Sequence, residues 1–234
     1  MTTSPVSEFV AYLACLFAII LSLVFAFKYE DKILGLGTIL LALATIFLAV
    51  DAHQQTTITH EALTSVQRAF VVFKDITFYK LPDFRATDPT AIRFIVAWEN
   101  SGTTPTKCLF THVSWRAYTA DIPANFDFPD LGGGSDTRSP IGPKSSLNMM
   151  AIDIQIDVLR AVQARTNHLY IWGWVDYDDI FSYTERHRTE FGTEILVIGS
   201  LTEAIPGLRF VRLPTFNGAD GETMKKPKPC PPSH

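Results

Sequence analysis

Hydrophobic residues are concentrated in two uncharged runs near the start of the sequence, Phe9 to Phe27 and Ile33 to Val50. At 1.5 Å of rise per residue, each run spans roughly 27 Å as a helix, which is close to the hydrocarbon thickness of a bilayer. Lys28 to Lys32, between the runs, leaves room only for a tight turn. The pattern therefore predicts an antiparallel transmembrane hairpin within residues 1–52, with the two runs as its helices.

Charged residues around the hairpin set its expected orientation. Lys28 and Lys32 flank the turn, whereas the segment before the first run contains Glu8 and no Lys or Arg. Because basic loops stay on the cytoplasmic side, we expect loop 28–32 in the cytoplasm and both termini outside. The same lack of basic residues argues against a cleaved signal peptide.

Small residues form one stripe on each predicted membrane helix. Small side chains let helices approach closely in lipid, and neither run contains Asp, Glu, Lys, Arg or His. We expect the stripes to pack against each other; the alternative is that one of them binds another membrane protein. The stripes consist of Ala11, Cys15, Ala18 and Ser22 in the first helix and Gly35, Thr38, Ala42, Thr45 and Ala49 in the second.

The periodicity changes after the hairpin. Residues 53–68 carry apolar side chains at steps of four, which predicts an amphipathic stalk helix. From residue 69 to 215, short alternating segments separated by turn residues predict an antiparallel β-sandwich. The expected strands are Phe70–Tyr79, Ile92–Trp98, Val113–Ala117, Met150–Ile156, Leu169–Tyr177 and Thr189–Ile198, with a further edge strand at Leu208–Leu213.

One short helix is expected to interrupt the strands, from Asp157 to Thr166. Asp157 is its predicted N-cap, and Leu159 and Val162 are predicted to face the core. The fold class predicted from the whole pattern is thus a membrane-anchored all-β protein.

Composition limits the classes of partner. The chain has 234 residues, 47% hydrophobic and 19% charged, with a net charge of -4. The mean hydropathy of +0.15 reflects the two apolar runs, and the remainder is typical of one globular domain. Nucleic acid is excluded as an expected partner, because Lys and Arg cluster only in the proline-rich end. Residues 216–234 are predicted to be a disordered Pro/Lys tail.

The three cysteines show no pattern of a metal site or a redox motif. Cys15 lies in the first apolar run and Cys230 in the tail. Cys108 is expected to be a lone, buried thiol, and a Cys108–Cys230 bridge is the open alternative.

Two segments resemble motifs of a known group of proteins. Trp98-Glu-Asn-Ser-Gly-Thr-Thr-Pro105 is similar to a turn of immunoglobulin-like modules, and Gly102 suits a left-handed position there. Tyr170 to Asp179, followed by His187 to Phe191, is similar to a strand pair. Both resemble an uncharacterised group of small bacterial proteins with N-terminal membrane helices and an outward β-sandwich. The resemblance implies an immunoglobulin-like fold and a bacterial inner membrane with periplasmic termini, and it implies no catalytic residue.

Several acidic residues are candidates for a cation site. Hard cations need several oxygen ligands. For the aspartates at the strand end, a turn in which they bind nearby backbone N–H groups is the favoured interpretation, and for those in the loop a solvated, mobile loop is favoured. The candidates are Asp176, Asp178 and Asp179 at a strand end, and Asp127, Asp130 and Asp136 in the glycine-rich loop Asp121–Pro143.

Aromatic and basic residues give further candidates. Phe126 and Phe128 are candidate anchors for a partner protein, as are Trp172 and Trp174 if their face of a central strand is exposed. Arg186 and Arg188 could bind a carboxylate, and His187 could titrate near neutral pH.

No nucleophile elbow, phosphate-binding loop or dinucleotide motif is present in the sequence. We therefore expect a non-enzymatic, membrane-anchored interaction protein without a cofactor. It would be an accessory or assembly subunit, or a scaffold, whose partners are the lipid bilayer and other membrane or periplasmic proteins. The alternative is a periplasmic ligand- or cation-sensing module.

Overall fold

The computed structural model describes residues 19–21, 24, 32–83, 85, 87–132, 135–148, 151–203 and 205–230. The chain forms two compact units, residues 1–63 and 64–234.

A long helix, α1, extends from Lys32 to Gln67 and so includes most of the predicted stalk. Within it, Gly37–Thr56 is long and apolar enough to cross a membrane, judged by length and composition. The first predicted membrane helix lies outside the described residues except for 19–21 and 24, which are helical. The described part of the chain therefore contains one candidate membrane span and does not show the predicted two-helix hairpin.

The small-residue stripe of the second predicted membrane helix lies on α1. Thr45 donates a hydrogen bond from its hydroxyl to the Leu41 carbonyl oxygen at 2.8 Å, which satisfies that polar group within the helix. The partner stripe of Ala11, Cys15, Ala18 and Ser22 lies outside the described residues, as does most of loop 28–32. Packing of the two stripes stays a prediction.

Two antiparallel sheets form the second unit, which is consistent with a β-sandwich. The first sheet has β1 at one edge, then β2, which pairs with both β5 and β6; the second has the order β4-β3-β7-β8-β9. The strands are β1 (Val71–Leu81), β2 (Ala91–Asn100), β3 (Lys107–Tyr118), β4 (Ser135–Thr137), β5 (Ser146–Asn148), β6 (Ile152–Gln155), β7 (His168–Asp178), β8 (His187–Val197) and β9 (Leu208–Arg212).

The main core lies between the sheets. Alternate residues of β2, including Ile92, Phe94 and Trp98, and of β7, including Ile171 and Val175, are almost fully buried in it. Burial of such side chains contributes about 1.5–3 kcal/mol each. β7 lies between β3 and β8, so the prediction of a central strand there is confirmed.

The predicted short helix is present as α2, Ile156–Gln163. Leu159 and Val162 are buried as predicted. The predicted cap is wrong: the N-cap is Gln155 and makes no side-chain capping hydrogen bond. Asp157 lies in the first turn instead and binds Arg160 at 3.0 Å. An acidic residue in the first turn still stabilises a helix through its dipole.

Gly102 is required for a different reason from the one predicted. Its φ angle lies outside the left-handed range, but a Cβ there would lie 2.2 Å from the Arg68 carbonyl oxygen and 2.7 Å from Phe70 N. Asn100 organises the same turn, since its side-chain oxygen accepts hydrogen bonds from Phe70 N–H and Gly102 N–H. The turn therefore packs tightly against the chain that enters the sandwich.

Candidate functional site

The outer face of the second sheet is buried, although several of its side chains are charged. Trp172, Trp174 and Asp176 alternate along β7, and the pairs Asp176↔Arg188 and Trp174↔Glu190 place two charged residues of β8 beside them. None of these five side chains is more than 1% exposed. We call these five residues the covered face.

Asp176 and Arg188 form a bidentate ion pair in the covered face. Arg188 Nε donates to Asp176 Oδ1 at 2.6 Å, and Nη2 donates to Oδ2 at 2.8 Å. The guanidinium carbon lies 4.4 Å from the Trp174 ring centroid. From the sequence, Arg188 is a candidate for binding an external carboxylate; in the structure its carboxylate is that of Asp176. Because a buried charge without its partner is costly, the two residues depend on each other.

Glu190 binds the backbone of the C-terminal segment. Its carboxylate oxygens accept hydrogen bonds from Met224 N–H at 2.7 Å and from Lys225 N–H at 3.1 Å. Burial raises the pKa of Glu190 above its usual value, and these hydrogen bonds and the charge of Arg188 oppose that shift. A carboxylate held in this way recognises an extended main chain.

Residues 216–230, which we call the C-terminal strap, extend along the covered face. Lys228 N–H donates to Asp176 Oδ2 at 2.8 Å, and the Lys228 carbonyl oxygen accepts from Arg186 Nε at 2.6 Å. The prediction of a disordered tail over residues 216–234 disagrees with the structure up to residue 230, because the strap is bound to the sheet. The physical reason is that buried charged groups of β7 and β8 bind the strap backbone.

The Lys228 side chain forms a second ion pair at the edge of the covered face. Its ammonium nitrogen lies 2.5 Å from Asp130 Oδ2 and 4.6 Å from the Trp174 ring centroid. Trp174 Nε1 donates to Asp130 Oδ1 at 2.7 Å. Burial raises the pKa of Asp130, but the hydrogen bonds and charge of Lys228 together with the Trp174 bond outweigh burial and lower it. Trp174 thus makes cation–π contacts with both Arg188 and Lys228.

A disulfide joins the end of the strap to the sheet. Cys230 is exposed, and Cys108 lies half-buried in an irregularity of β3 between Lys107 and Phe110, with a φ of 44°. The Cα atoms are 6.0 Å apart and the cysteines are 122 positions apart in the sequence. The expectation of a lone Cys108 thiol is wrong, because the strap folds back and brings Cys230 to it.

The four aromatic residues predicted as partner contacts pack against their own chain. The Phe126 and Phe128 ring centroids lie 5.7 and 6.2 Å from that of Trp172, and Phe128 stacks on Phe216 at 4.4 Å. Phe128, Trp172 and Trp174 are each 1% exposed. They do not form a surface for a partner, because their loop and the strap already cover this face.

The three aspartates at the end of β7 do not converge on one ion position. Asp176 binds Arg188, whereas Asp178 binds Arg186 at 2.9 Å. Asp179 accepts from Phe181 N–H, from the Thr184 hydroxyl and from His187. Asp179 therefore fits the favoured interpretation of a turn aspartate that binds a nearby backbone N–H group, whereas Asp176 and Asp178 are ion-pair residues.

Two of the candidate acidic residues of the glycine-rich loop pair with different lysines. Asp127 lies 3.5 Å from the Lys225 ammonium group, and Asp130 binds Lys228. The backbone of Asp136 lies in β4, opposite His112 of β3.

His187 joins the start and the end of the second unit. Its Nδ1 lies 2.9 Å from Asp220 and its Nε2 lies 3.2 Å from Asp179; Asp220 also pairs with Arg68 at 2.9 Å. Burial and the charge of Arg68 lower the pKa of His187, but the hydrogen bonds to Asp220 and Asp179 and the charge of Asp220 outweigh them and raise it. For Asp220, burial raises the pKa, and the bonds to His187 and Arg68 lower it overall. The candidate His187 is thus a titratable link between strap and sheet.

One further cluster combines ligand types that a metal ion accepts. Asp121, His168 and Glu194 place one ligand atom each within 4.8 Å of one another. Tyr170 donates to Asp121 at 3.2 Å, and burial together with the nearby Glu194 and Asp121 raises the pKa of Tyr170 to about 12. Cys108, Asp178 and Cys230 are similarly close, but those sulfur atoms form the disulfide.

The comparisons with known proteins give little guidance. No protein-family model matches the chain, and no curated protein matches it significantly. A crystal structure of a protein from Archaeoglobus fulgidus is similar over 52% of this chain and 94% of that one, with 9% sequence identity. Its TM-score of 0.26 is too low to carry an argument about fold or function.

Proposed function

We propose that this chain is a membrane-anchored interaction protein that presents its β-sandwich on the non-cytoplasmic side of a membrane. The observation that carries the proposal is the Cys108–Cys230 disulfide. Disulfides persist in oxidising compartments and are rare in the cytosol. The apolar helix segment Gly37–Thr56 supplies a candidate anchor.

The proposal includes the finer features that the sequence predicts. They are a two-helix hairpin, an immunoglobulin-like sandwich, periplasmic termini and a cytoplasmic loop 28–32 in a bacterial inner membrane. Lys28 and Lys32 favour a cytoplasmic turn, and the disulfide favours a non-cytoplasmic sandwich. Two independent features therefore support the same orientation.

A non-enzymatic role is also part of the proposal. In the described covered face, each charged side chain is engaged by a group of the same chain: Asp176 by Arg188, and Glu190 by the strap backbone. Such an arrangement stabilises a scaffold and suits an accessory or assembly subunit of a membrane complex. The assignment of an interaction role rests on fold-level analogy.

A cation-sensing module is the second candidate function. The aspartates first considered for it are paired elsewhere, and the Asp121–His168–Glu194 cluster now favours it more. An imidazole with two carboxylates suits Zn²⁺ or Mn²⁺ better than Ca²⁺. Calorimetric titration with Zn²⁺, Mn²⁺ and Ca²⁺, using His168→Ala as the control, tests this function; no heat with any of the three ions would exclude it.

The leading proposal is tested by topology and by partner capture. Alkaline phosphatase fused to the C-terminus should be active, whereas a reporter that fluoresces only in the cytoplasm should not fluoresce when fused there. The opposite pattern would overturn the proposed orientation. Cross-linking in intact cells before mild detergent extraction should give a partner in stoichiometric amount. A chain that is monomeric and uncross-linked under these conditions would argue against an accessory subunit.

A further inference from the structure

At its end, the strap combines the Cys108–Cys230 disulfide with a segment that has no regular secondary structure. From Met224 to Cys230 the strap has no regular secondary structure. Pro227 and Pro229 have no N–H group, so they remove two backbone donors from this stretch. The N–H groups of Met224, Lys225 and Lys228 are held by the carboxylates of Glu190 and Asp176, and segments outside regular secondary structure open locally at low free energy. The disulfide therefore has a large share in keeping the strap closed.

The surface beneath the strap is suited to opening. The strap binds Asp176 and Glu190 mainly through polar contacts, whereas the core between the sheets is apolar. Ions that become exposed regain their hydration, while exposed apolar groups do not. Release of residues 224–230 can therefore leave the main sandwich folded.

The disulfide is accessible to a reagent from solution. Cys230 is exposed and Cys108 is half-buried, so an attacking thiolate can reach the Cys230 sulfur. Arg186 Nη2 donates to the Cys108 carbonyl oxygen at 2.9 Å, which places a cation near the sulfur that would leave. A nearby cation favours a thiolate, although Asp178, paired with the same guanidinium, partly offsets it.

We propose that Cys108–Cys230 is a thiol–disulfide exchange site that controls whether the strap covers the Trp174–Arg188 face. The partner it fits is a dithiol reductant, such as a protein with two neighbouring thiols. One thiolate of the reductant attacks the Cys230 sulfur, forms a mixed disulfide and releases Cys108 as a thiolate. The second thiol then attacks the mixed disulfide, so that Cys230 leaves as a thiolate and the reductant becomes a disulfide. Two electrons pass from the reductant to this chain, and the strap is released.

The test uses the full chain in detergent, in a Cys15→Ser background that leaves only the two cysteines of the disulfide. Trypsin does not cleave before proline, so Lys225–Lys226 is the cleavable lysine bond of the strap. After reduction with a dithiol, cleavage at this bond should become faster by about tenfold or more, as expected for a locally opened segment. Samples are fully reduced only after quenching, so that tethered fragments are also detected by mass spectrometry.

Two controls distinguish release of the strap by reduction from a general loss of structure. The Cys108→Ser/Cys230→Ser variant should be cleaved at the fast rate with or without reductant. Cleavage after Arg85, in an exposed loop, should be unchanged by the redox state. Equal rates at Lys225 before and after reduction would overturn the proposal.

A second measurement addresses the exchange itself. The two cysteines should be reduced and alkylated in the absence of denaturant. If they react only at urea concentrations that unfold the sandwich, the disulfide is purely structural and the exchange site is refuted. Thiol–disulfide exchange measured in detergent does not depend on how the chain is oriented in a membrane. A negative result here would therefore refute this inference without refuting the proposed function, and the reverse also holds.

Discussion

Arg188 is the residue whose loss should destabilise the sandwich most directly. It is 1% exposed and neutralises Asp176, which is fully buried. Arg188→Met keeps much of the side-chain volume but leaves the carboxylate without its cation, and we expect a loss of about 3–5 kcal/mol in unfolding free energy. Urea unfolding monitored by tryptophan fluorescence measures it, because all four tryptophans belong to strands of the sandwich.

The matched control for that ion pair is Arg160 on α2. It pairs with Asp157 at 3.0 Å, but the two side chains are 53% and 85% exposed. Arg160→Met should change stability by less than about 1 kcal/mol, as is usual for surface pairs. The double variant Arg188→Met/Asp176→Leu should recover part of the loss. If it recovers none, packing rather than the unpaired carboxylate explains the effect of Arg188→Met.

His187 should make stability depend on pH near neutrality. Its folded-state pKa is raised from 6.5, so its contribution is complete below pH 6.5 and is lost as pH rises through the folded pKa. The pKa of Asp220 is lowered from 3.8, so its contribution is present above pH 3.8 and is lost as pH falls through the folded pKa. The link is therefore strongest between pH 3.8 and 6.5. Arg68, Asp179 and the Tyr177 ring are the other groups that face it.

Unfolding free energy measured from pH 5 to 9 should fall less steeply in His187→Gln than in the unchanged chain. Asp220→Asn removes one of the two aspartate partners of His187 and should flatten part of the same profile. The double substitution should flatten the profile little more than His187→Gln alone, since Asp220 acts on this part of it through His187. A steep wild-type profile that persists in both variants would assign the pH dependence to other groups.

At the scale of elements, the long strands were predictable and the short ones were not. Alternation located β7 as Leu169–Tyr177, where the structure has His168–Asp178. β4 and β5 have three residues each, too few for a period-two pattern to be recognised within a loop rich in Gly and Pro. The change from strand to helix at Ile156 could not be predicted from the sequence either, because an apolar residue is compatible with both elements.

The candidate site was predictable only in its residue types. His187 and Trp174 stand out in the sequence, but they have partners in distant segments: Trp174 binds Asp130, 44 positions away, and His187 lies beside Asp220, 33 positions away. Alternation shows that a strand face is apolar, and it does not show whether the same chain covers that face. This is why Phe126 and Phe128 are expected at a partner interface and are found in a second core.

The turn that follows β2 offers a test of tight packing between elements. Gly102→Ala would place a methyl group against the backbone of Arg68 and Phe70, which cannot move aside as a side-chain end can. We expect a loss of about 1–3 kcal/mol in unfolding free energy, typical of overpacking. Gly221→Ala is the control, because its Cβ meets nothing within 4 Å, and it should change stability by less than about 0.5 kcal/mol. Equal stability of the two variants would show that the turn adjusts.

At the scale of the whole molecule, the two units differ in where their apolar residues lie. The segment Gly37–Thr56 is apolar without an internal core, whereas the second unit buries an inter-sheet core and also a covered outer face. The disulfide belongs to the second unit alone. Its chemistry therefore constrains the compartment of the sandwich and leaves the number of membrane spans to be measured.

Cysteine labelling tests the second predicted span and the orientation of the sandwich together. Asp88→Cys places a thiol at a position where the side chain is 92% exposed, and Tyr29→Cys places one in the predicted cytoplasmic turn. In a Cys15→Ser background, a membrane-impermeant maleimide should label Asp88→Cys in spheroplasts but label Tyr29→Cys only after detergent lysis. The reason is that one span separates the turn from each terminus in the proposed hairpin. Labelling of both sites in intact spheroplasts would show that no span lies between them, and would refute the hairpin. Labelling of Tyr29→Cys alone would invert the orientation and conflict with the disulfide.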